Sequence, residues 1–280
     1  MISRPMISIV TPSFRQPEWL TLAVASVADQ EGVEVEHIIQ DGGSDPGALA
    51  PLMTNPTVRW FCEPDGGMYD AINRGFRRAR GDICGYLNCD EQYLAGALAQ
   101  VAEFFRAHSE VDVCFGDVIL VDRHGQPLSY RRTVLPIRSH LQLAHLNTPS
   151  CATFFRRHLL ERGFYFDPQW KAIGDLVWVD SMLRAGVRMR TLHQPLAAFT
   201  FTGENLGATP LSRKEGARWK GQPRFGRVRT AAAVALHRTR KALAGAYRSR
   251  LIDIALYTHE SPRERQRRTA ETVGFGWPST

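Results

Sequence analysis

The sequence has no long apolar segment and no closely spaced pair of cysteines. Among its 280 residues there is no run of about 18 apolar residues, which argues against a membrane-spanning helix. The N-terminus is too short and too interrupted for a secretory signal, and the five cysteines are scattered without a C-x-x-C pair. These features predict a cytoplasmic protein with reduced thiols.

Positive charge is scarce in the first three quarters of the chain. Residues 1–210 carry 19 Lys and Arg against 23 Asp and Glu, a net charge of −4, whereas residues 211–280 carry 16 against 5, a net charge of +11. This distribution argues against a basic nucleic-acid-binding core, so we expect no nucleic-acid partner. It predicts one domain over residues 1–210 and a basic helical tail over residues 211–280.

Several common nucleotide-site and hydrolase motifs are also missing. The sequence has no G-x-G-x-x-G and no G-x-x-x-x-G-K-[ST], so neither a standard dinucleotide site nor a P-loop is supported. It has no G-x-S-x-G either, which excludes a nucleophile elbow.

The sequence does contain strands and helices that alternate with short connections. Apolar runs predict strands over residues 6–14, 33–40, 57–63, 82–88 and 111–122, and amphipathic patterns predict helices over 17–30, 48–53, 68–80 and 93–108. This alternation predicts an α/β fold in which helices cover a parallel sheet.

Small or acidic clusters follow the first four predicted strands. They are Thr11-Pro12-Ser13, Asp41-Gly42-Gly43-Ser44, Pro64-Asp65-Gly66-Gly67 and Asn88-Cys89-Asp90-Glu91. Turns alone favour Gly and Asp, but ligands of open α/β sheets also bind beyond the carboxyl ends of the strands. Asp90 suits a hard divalent cation, and Mg²⁺ usually takes only one or two carboxylates, with substrate phosphates completing its shell. The clusters therefore indicate a site for a phosphorylated substrate.

Four segments together resemble a family 2 glycosyltransferase. They are "ISIVTPSF", "HIIQDGGSD", "EPDGGMYDAINRGFRRARGDICGYLNCDE" and "GDLVWVDSMLRAG", in this order, and the resemblance covers residues 5–205. It implies the GT-A fold, a Rossmann-like nucleotide-binding sheet flanked by helices, and sugar transfer from a nucleotide donor with inversion. It also implies a nucleotide-sugar-binding half over residues 1–122 and an acceptor half over 123–210.

The resemblance assigns donor-site roles to several residues. Nucleotide-sugar-binding residues would be Thr11, Pro12, Asp41, Gly42, Gly43, Asp65, Gly66, Asn73 and Asn88. Within this set Asp41 would read the base, while Gly66 and Asn73 would approach the ribose and diphosphate. The loop "DGGSD-PG" is one residue shorter than the usual pattern of the family, so the base pocket is expected to differ in shape.

The resemblance also places a metal site at the D-x-D position, for Mg²⁺ or Mn²⁺. Asp90 would be the ligand, and Asn88 stands where the family has its first acid. Glu91 is either a second ligand or an acid at the N-terminus of the following helix. His193, on a late strand, is a further candidate to reach the diphosphate and its metal.

Asp175 opens the predicted helix "GDLVWVDSMLRAG". The family has its catalytic base at this position, because inversion requires the acceptor hydroxyl to lose its proton as it attacks. A carboxylate can accept that proton. The alternative role, an N-cap, is compatible with catalysis.

The basic tail is predicted to be helical over residues 226–257, with Leu236, Leu243, Tyr247, Leu251 and Ile254 on one face. Such a helix either lies on an anionic membrane surface or docks on the catalytic domain. Since lipid-linked acceptors are common in the family, a peripheral place at the inner face of the plasma membrane is one hypothesis.

The sequence thus favours a metal-dependent inverting glycosyltransferase. It would move a sugar, most simply from a UDP-sugar, to a glycan or lipid-linked acceptor in bacterial surface or exopolysaccharide synthesis. A nucleotidyltransferase is an alternative, but "TPSFRQPEW" lacks the Gly-rich loop that would hold a triphosphate. A non-catalytic nucleotide- or glycan-binding module is another, although a binder would not need Asp175.

Overall fold

The computed structural model describes residues 5–143, 145–203, 205–221 and 227–277. Within them a nine-stranded mixed sheet is flanked by helices, and a two-stranded antiparallel sheet follows near the C-terminus. The strands are β1 (Met6–Ser13), β2 (Glu34–Asp41), β3 (Val58–Cys62), β4 (Ile83–Tyr86), β5 (Glu91–Tyr93), β6 (Val113–Asp122), β7 (Pro127–Arg131), β8 (Thr153–Arg156), β9 (Met189–Phe201), β10 (Arg250–Leu256) and β11 (Gln266–Val273). The helices are α1 (Pro17–Ala28), α2 (Pro46–Met53), α3 (Met68–Arg78), α4 (Ala97–Ala107), α5 (Arg138–Leu143), α6 (His158–Glu161), α7 (Gly174–Arg184), α8 (Pro210–Lys220) and α9 (Arg227–Leu243).

The order of the large sheet is β3-β2-β1-β4-β8-β6-β9-β5, with β7 paired to β6. The first four of these strands are parallel, as the alternation of strands and helices predicts. β8 then runs antiparallel between β4 and β6, so the predicted parallel sheet is mixed beyond β4. The α/β fold class is confirmed.

Two apolar layers cover the faces of this sheet. Ile9 belongs to the layer under α1 and α4, and the next residue, Val10, belongs to the layer under α3 and α7. Successive side chains of a strand point to opposite faces, so one buried run supplies both layers. Gly75 lets α3 lie close to β1, because a Cβ there would be 2.3 Å from Val10 Cγ1.

The prediction of one helix over residues 226–257 is wrong beyond Leu243. Gly245 adopts a φ of 70°, which favours glycine, and the chain then forms the antiparallel pair β10 and β11. The apolar residues of β10 alternate with period two: Ile252 and Leu256 are buried against the large sheet, while Leu251 is 71% exposed. Reading Leu251 and Ile254 with a helical period missed this alternation.

The β10–β11 hairpin is fastened to the large sheet and to the end of α1. Arg265 donates to both carboxylate oxygens of Asp29, the residue that follows α1, at 2.5 and 2.8 Å, and Gln92 of β5 exchanges two hydrogen bonds with the backbone of Tyr257. The last quarter of the chain is therefore a helical segment followed by a β-hairpin that packs on the core. No helix in the described part of the chain is both long and apolar enough to cross a membrane.

Candidate active site

The sheet brings the first four strand ends to one edge. Ser13 pairs with Asp41, and Asp41 pairs with Cys62, so β1, β2 and β3 end side by side. On the other side of β1, the amide of Leu87 donates to the carbonyl of Val10 at 3.0 Å. The four polar clusters therefore lie next to one another, as expected from parallel strands.

Thr11 and Pro12 lie inside β1 and are buried. Thr11 Oγ1 is 2.9 Å from His37 Nε2, and burial lowers the pKa of His37 to about 3, so this imidazole is neutral. The next residue, Ser13, has a buried Oγ without a hydrogen-bond partner among the described residues. A buried hydroxyl without a partner is costly, so Ser13 Oγ is a candidate contact for a ligand.

Asp41 is fully buried and holds the loop that carries Gly42 and Gly43. Its Oδ1 accepts from the amides of Gly43 and Ser44, at 3.0 and 2.6 Å, and its Oδ2 accepts from Ser44 Oγ at 2.8 Å. The carboxylate thus fixes the shape of the loop in this structure. Any contact with a base would use the acceptor capacity that these bonds leave free.

Asp65 and Gly42 bring the loops after β2 and β3 into contact. A Cβ on Gly42 would lie 2.9 Å from Asp65 Oδ2, so a larger residue there would displace the Asp65 carboxylate. Asp65 Oδ1 accepts from the amide of Gly67 at 2.7 Å, and Gly67 caps α3 with a φ of 109°. Gly66 donates its amide to Asp70 at 2.9 Å and accepts from Lys171 Nζ at 2.6 Å. Three hydrogen bonds thus hold the loop, one of them from Lys171, which lies shortly before α7.

Asn73 has a different environment from the one that the family resemblance implies. It is 2% exposed, its Nδ2 donates to the carbonyl of Phe166, and its Oδ1 accepts from the amide of Phe166. Both polar groups are occupied, so Asn73 joins α3 to the segment between α6 and α7 and does not present its amide to a nucleotide in this structure.

Asn88 and Asp90 lie in the turn between β4 and β5. Asn88 Oδ1 is buried and has no hydrogen-bond partner among the described residues, and burial raises the pKa of Asp90 to about 6. An oxygen without a donor beside a carboxylate is the arrangement expected of a hard-cation site. Across the described residues, no three His, Cys, Asp or Glu side chains are grouped to hold a metal ion. The residues present therefore fit a cation that takes two protein ligands and completes its shell with a diphosphate.

Glu91 lies under this turn and belongs to β5, so it is not an acid at the N-terminus of α4, which begins six residues later at Ala97. It is 1% exposed; its Oε2 accepts from the amide of Asn88 at 2.9 Å and its Oε1 from Ser150 Oγ at 3.2 Å. Burial and the neighbouring Asp90 raise the pKa of Glu91 to about 8. The hydrogen bonds give Glu91 the role of holding the turn in place.

His193 lies on β9 next to a buried acid. Its Nδ1 is 3.8 Å from Asp117 Oδ1, and Arg132 Nη1 donates to its carbonyl at 3.4 Å. Asp117 also accepts from Tyr130 and from the amide of Thr133. Among the described residues, no hydrogen bond or ion pair joins His193 to Asn88 or Asp90, so its place at the metal stays a prediction.

Asp175 lies in the first turn of α7, and Tyr69 of α3 contacts it. The Tyr69 hydroxyl donates to Asp175 Oδ1 at 3.2 Å, and the same oxygen accepts from the amide of Leu176 at 2.8 Å. Burial raises the pKa of Asp175, and these hydrogen bonds oppose that rise. Gly174 makes the contact possible, because a Cβ there would be 2.7 Å from the Tyr69 ring.

The acids of this region differ from most other buried acids in lacking basic partners. Within the described residues no salt bridge involves Asp41, Asp65, Asp90, Glu91 or Asp175, whereas Asp112, Asp117 and Asp180 are each paired with basic side chains. Unpaired, partly buried carboxylates at one sheet edge attract a cation.

The motifs did not reveal three residues of the site. Ser13 belongs to one of the strand-end clusters, but no motif assigns a role to Ser13, Tyr69 or Lys171. Tyr69 lies in the quoted segment "DGGMYDAIN", but its partner Asp175 is 106 residues away. Only the packing of α3 against α7 brings the two together.

The sequence of residues 8–163 matches the family described as Glycosyl transferase family 2. The chain belongs to this family. An uncharacterized glycosyltransferase of Mycobacterium tuberculosis (strain H37Rv) is 35% identical over 120 residues, 41% of this chain and 46% of the relative. A PGL/p-HBAD biosynthesis glycosyltransferase of M. tuberculosis (strain H37Ra) is 33% identical over 126 residues, 42% of this chain and 49% of the relative. The matched segment spans about half the length of these relatives.

Solved structures support the GT-A fold. Residues 1–349 of Staphylococcus aureus TarS, crystallised with UDP-GlcNAc, superpose with a TM-score of 0.62 at 19% identity, covering 84% of this chain and 72% of that one. A mannosyltransferase of Pyrobaculum calidifontis, crystallised with GDP-Man and Mn²⁺, has a TM-score of 0.56 at 16% identity, covering 85% and 76%.

Proposed function

We propose that this family 2 member is a metal-dependent inverting glycosyltransferase. It takes a sugar from a nucleotide-diphosphate donor, in the first instance a UDP-sugar, and transfers it to a glycan or lipid-linked acceptor of bacterial surface or exopolysaccharide synthesis. Support for the donor class comes from the fold relatives, which were crystallised with UDP-GlcNAc, UDP and GDP-Man.

One observation carries the proposal: among the described residues, the strand-end acids Asp41, Asp65, Asp90 and Glu91 form no salt bridge, unlike Glu63, which binds Arg74 and Arg78. A further acid, Asp175, lies in the first turn of α7 and accepts a hydrogen bond from Tyr69. A site for a neutral ligand would not need unpaired carboxylates, because each costs desolvation free energy when it is partly buried. A cation between Asp90 and a diphosphate would offset that cost, and the unpartnered Asn88 Oδ1 would gain a partner.

Asp175 is the proposed base. As the acceptor oxygen forms its bond to the anomeric carbon, the bond from that carbon to the diphosphate breaks, and the hydroxyl proton passes to the Asp175 carboxylate. Tyr69 and the amide of Leu176 orient that carboxylate. Proton transfer to a positioned base contributes typically about 10²–10⁴ in rate.

The proposed cofactor is Mg²⁺ or Mn²⁺, with Asp90 and Asn88 as the protein ligands. When bound, the cation would supply positive charge that stabilises the departing diphosphate. Glu91 supports the turn from below. Backbone from Gly42, Gly43 and Gly66, together with Ser13, Thr11, Pro12, Asp41 and Asp65, would line the nucleotide.

We also propose that the last quarter of the chain contacts an anionic membrane surface at the inner face of the plasma membrane. Leu243 is 84% exposed, Leu251 is 71% and Trp277 is 54%. Arg131 lies over the Trp277 ring at 5.5 Å, so a cationic group accompanies one of these exposed apolar side chains. That composition is typical of interfacial segments.

Co-sedimentation with vesicles that contain anionic lipid tests the membrane proposal. Leu243→Asn with Leu251→Asn should reduce binding, whereas Met53→Asn, an exposed change on α2, should not. The intact chain is used because the β10–β11 hairpin completes the core. Equal binding by all three proteins would contradict the proposal.

A donor screen tests the enzymatic function. Nucleotide release is measured from a panel of nucleotide sugars with Mg²⁺ or Mn²⁺, for the wild type and for Asp175→Asn. We expect release from one nucleotide class and its near-complete loss in Asp175→Asn. Asp167→Asn, which removes an acid from an acceptor-half turn, is the matched control and should behave as the wild type. Full activity of Asp175→Asn would refute the assignment of the base.

A further inference from the structure

Three imidazoles meet where α9 packs on α5. His140 of α5 stacks on His237 of α9 with ring centroids 3.6 Å apart and an interplanar angle of 18°. His145, in the loop after α5, lies edge-on to both, at 4.9 Å from His140 and 6.4 Å from His237. His140 is 2% exposed and His237 is 5% exposed.

Basic side chains surround these rings. Arg240 and Lys241 come from α9, Arg131 from β7 and Lys220 from α8, and each adds positive charge near at least one imidazole. In the described part of the chain, no salt bridge joins Arg131, Arg240 or Lys241 to a carboxylate. Arg131, Arg240 and Lys241 thus bring positive charge to the rings, and no carboxylate among the described residues is bonded to any of the three.

Several polar atoms of the cluster also lack partners. His140 Nδ1, His237 Nδ1 and Arg240 Nη1 are buried and make no hydrogen bond to any described residue. Buried polar groups in proteins are nearly always hydrogen-bonded, so three such atoms in one place indicate a missing partner. Since the surrounding charges are positive, that partner should be an acceptor with negative charge.

The titration behaviour agrees with this geometry. Burial, followed by the neighbouring cations, lowers the pKa of His140 to about 3 and that of His237 to about 4. Burial and Arg131 lower the pKa of Lys241 to about 8. A bound anion would oppose these shifts, because it stabilises the charged form of each group.

A metal ion is not the favoured ligand. The His140 and His237 rings face each other in a stack, and the described residues hold no set of three metal-ligating side chains. The nearby arginines and lysines would also repel a cation. The same features favour a phosphate group, which offers several acceptor oxygens and matches the guanidinium geometry of Arg.

We propose that His140, His145, His237, Arg240, Lys241 and Arg131 form a binding site for a phosphate or diphosphate group, distinct from the donor site. The cluster lies against the helix that carries Asp175: Arg138 of α5 binds Asp180 of α7 at 3.0 Å, and Leu146, next to His145, packs on Leu176. If the proposed function holds, this site takes the phosphate of an anionic acceptor.

Binding of inorganic phosphate and pyrophosphate to the full chain tests the site, with chloride at equal ionic strength as the non-specific anion. The variant is R240Q/K241Q, and the control is R238Q/R248Q, which removes the same charge from exposed positions. Wild type and control should bind pyrophosphate with the same affinity. The affinity of R240Q/K241Q should be at least about tenfold lower, as expected for lost charge-assisted hydrogen bonds. Equal weakening in both variants would overturn the proposal, because it would reduce the effect to net charge.

Thermal unfolding without added anion gives a second result that a purely structural cluster would not produce. Removal of mutually repelling charges should raise the Tm of R240Q/K241Q above that of the wild type, and pyrophosphate should then stabilise the wild type more than the variant. A lower Tm for the variant in both conditions would mean that these side chains only support the fold, and would refute the site.

The source of the phosphate is decided by a competition experiment. Vesicles of phosphatidylcholine that contain phosphatidic acid present a lipid phosphate, and pyrophosphate presents a free one. If the vesicles displace pyrophosphate, the result supports a lipid source. If pyrophosphate binds but the vesicles do not displace it, the result supports a soluble phosphate. Absence of both kinds of binding refutes the site.

These outcomes are independent of the proposed function. Phosphate binding at the cluster by a protein that releases no nucleotide from any donor would refute the glycosyltransferase proposal and leave the site intact. Conversely, sugar transfer from a nucleotide donor by a protein that binds no phosphate at the histidine cluster would refute the phosphate site and leave the glycosyltransferase proposal intact.

Discussion

The strand-end edge of β1 to β4 and the last quarter of the chain are opposites in charge and in construction. The edge is built from parallel strands and short glycine-rich turns, and four of its acids, Asp41, Asp65, Asp90 and Glu91, form no salt bridge among the described residues. The last quarter combines helices with an antiparallel hairpin, and Arg240 and Lys241 beside His140 and His237 form no salt bridge in that same set of residues. Elsewhere in the protein, buried acids such as Asp180 are paired with arginine.

The contrast identifies two places where charged side chains have no salt-bridge partner among the described residues. A paired acid such as Asp180, bound by Arg138 and Arg184, already has its counter-charge and serves the packing of α7. At the strand ends, carboxylates without a salt bridge predict a cation that binds together with a diphosphate. At the histidine cluster, basic side chains without a salt bridge predict a phosphate group.

The largest expected effect separates Asp90 from Glu91. Asp90→Ala should remove metal-stimulated transfer almost completely, a loss of several kcal/mol in transition-state stabilisation. Glu91→Gln should retain metal stimulation, because Gln can still accept from the amide of Asn88. Transfer rates against Mn²⁺ concentration measure both. Retained stimulation in Asp90→Ala, or its loss only in Glu91→Gln, would move the metal site away from Asp90.

The next effect concerns Arg265, which anchors the β10–β11 hairpin to Asp29 at the end of α1. Arg265→Gln should lower the free energy of unfolding by about 2 kcal/mol, because its side chain is only 10% exposed and binds Asp29 and backbone carbonyls. Arg267→Gln removes an exposed pair with Asp253 and should change stability by less than about 1 kcal/mol. Denaturant unfolding measures both. Similar losses for the two variants would indicate that the hairpin is not anchored through Arg265.

A smaller effect tests how α7 is held against α3. Gly174→Ala forces a Cβ against the Tyr69 ring and should destabilise the protein by about 1–3 kcal/mol. Gly216→Ala, in α8 with nothing near its Cβ, should instead stabilise it by up to about 1 kcal/mol. Thermal unfolding of the two variants gives the comparison. Stabilisation by both would mean that the close contact of Gly174 with Tyr69 does not matter.

The smallest effect is a shift in pH dependence. The base must be deprotonated, so transfer falls as the pH drops through the pKa of Asp175, which burial raises and the Tyr69 hydroxyl lowers. Tyr69→Phe should therefore move the acid limb of kcat/KM to higher pH. Tyr86→Phe, a buried neighbour without a hydrogen bond to Asp175, is the control. An unmoved acid limb in Tyr69→Phe would show that this hydrogen bond does not tune the base.

Local patterns predicted the elements of residues 1–122 well. β1, α1, β2, α3 and β6 begin and end within two residues of the predicted bounds, because their apolar periods are regular and short turns flank them. The polar strand ends could be predicted to share an edge for the same reason. The alternation of parallel strands and helices in the sequence therefore predicts that these acids assemble at one edge of the sheet.

Long-range pairing could not be predicted in the same way. β5 is three residues long, and β8 enters the sheet antiparallel from 70 residues downstream of β4, so no local period marks either partner. Only β10 of the hairpin lies within the helix predicted over residues 226–257, because its short alternation follows directly on the helical pattern of α9. The histidine cluster depends on α5 and α9, which are almost 100 residues apart, and spacing within either helix gives no sign of it.

The most direct test of the account is donor binding measured by calorimetry with and without Mn²⁺. The account predicts that the wild type and Asp175→Asn bind the donor equally well in the presence of Mn²⁺, and that Asp90→Ala loses the Mn²⁺-dependent part of the affinity. If Asp90→Ala binds the donor as tightly as the wild type with Mn²⁺ present, the strand-end acids do not hold a cation and its diphosphate, and the central claim is contradicted.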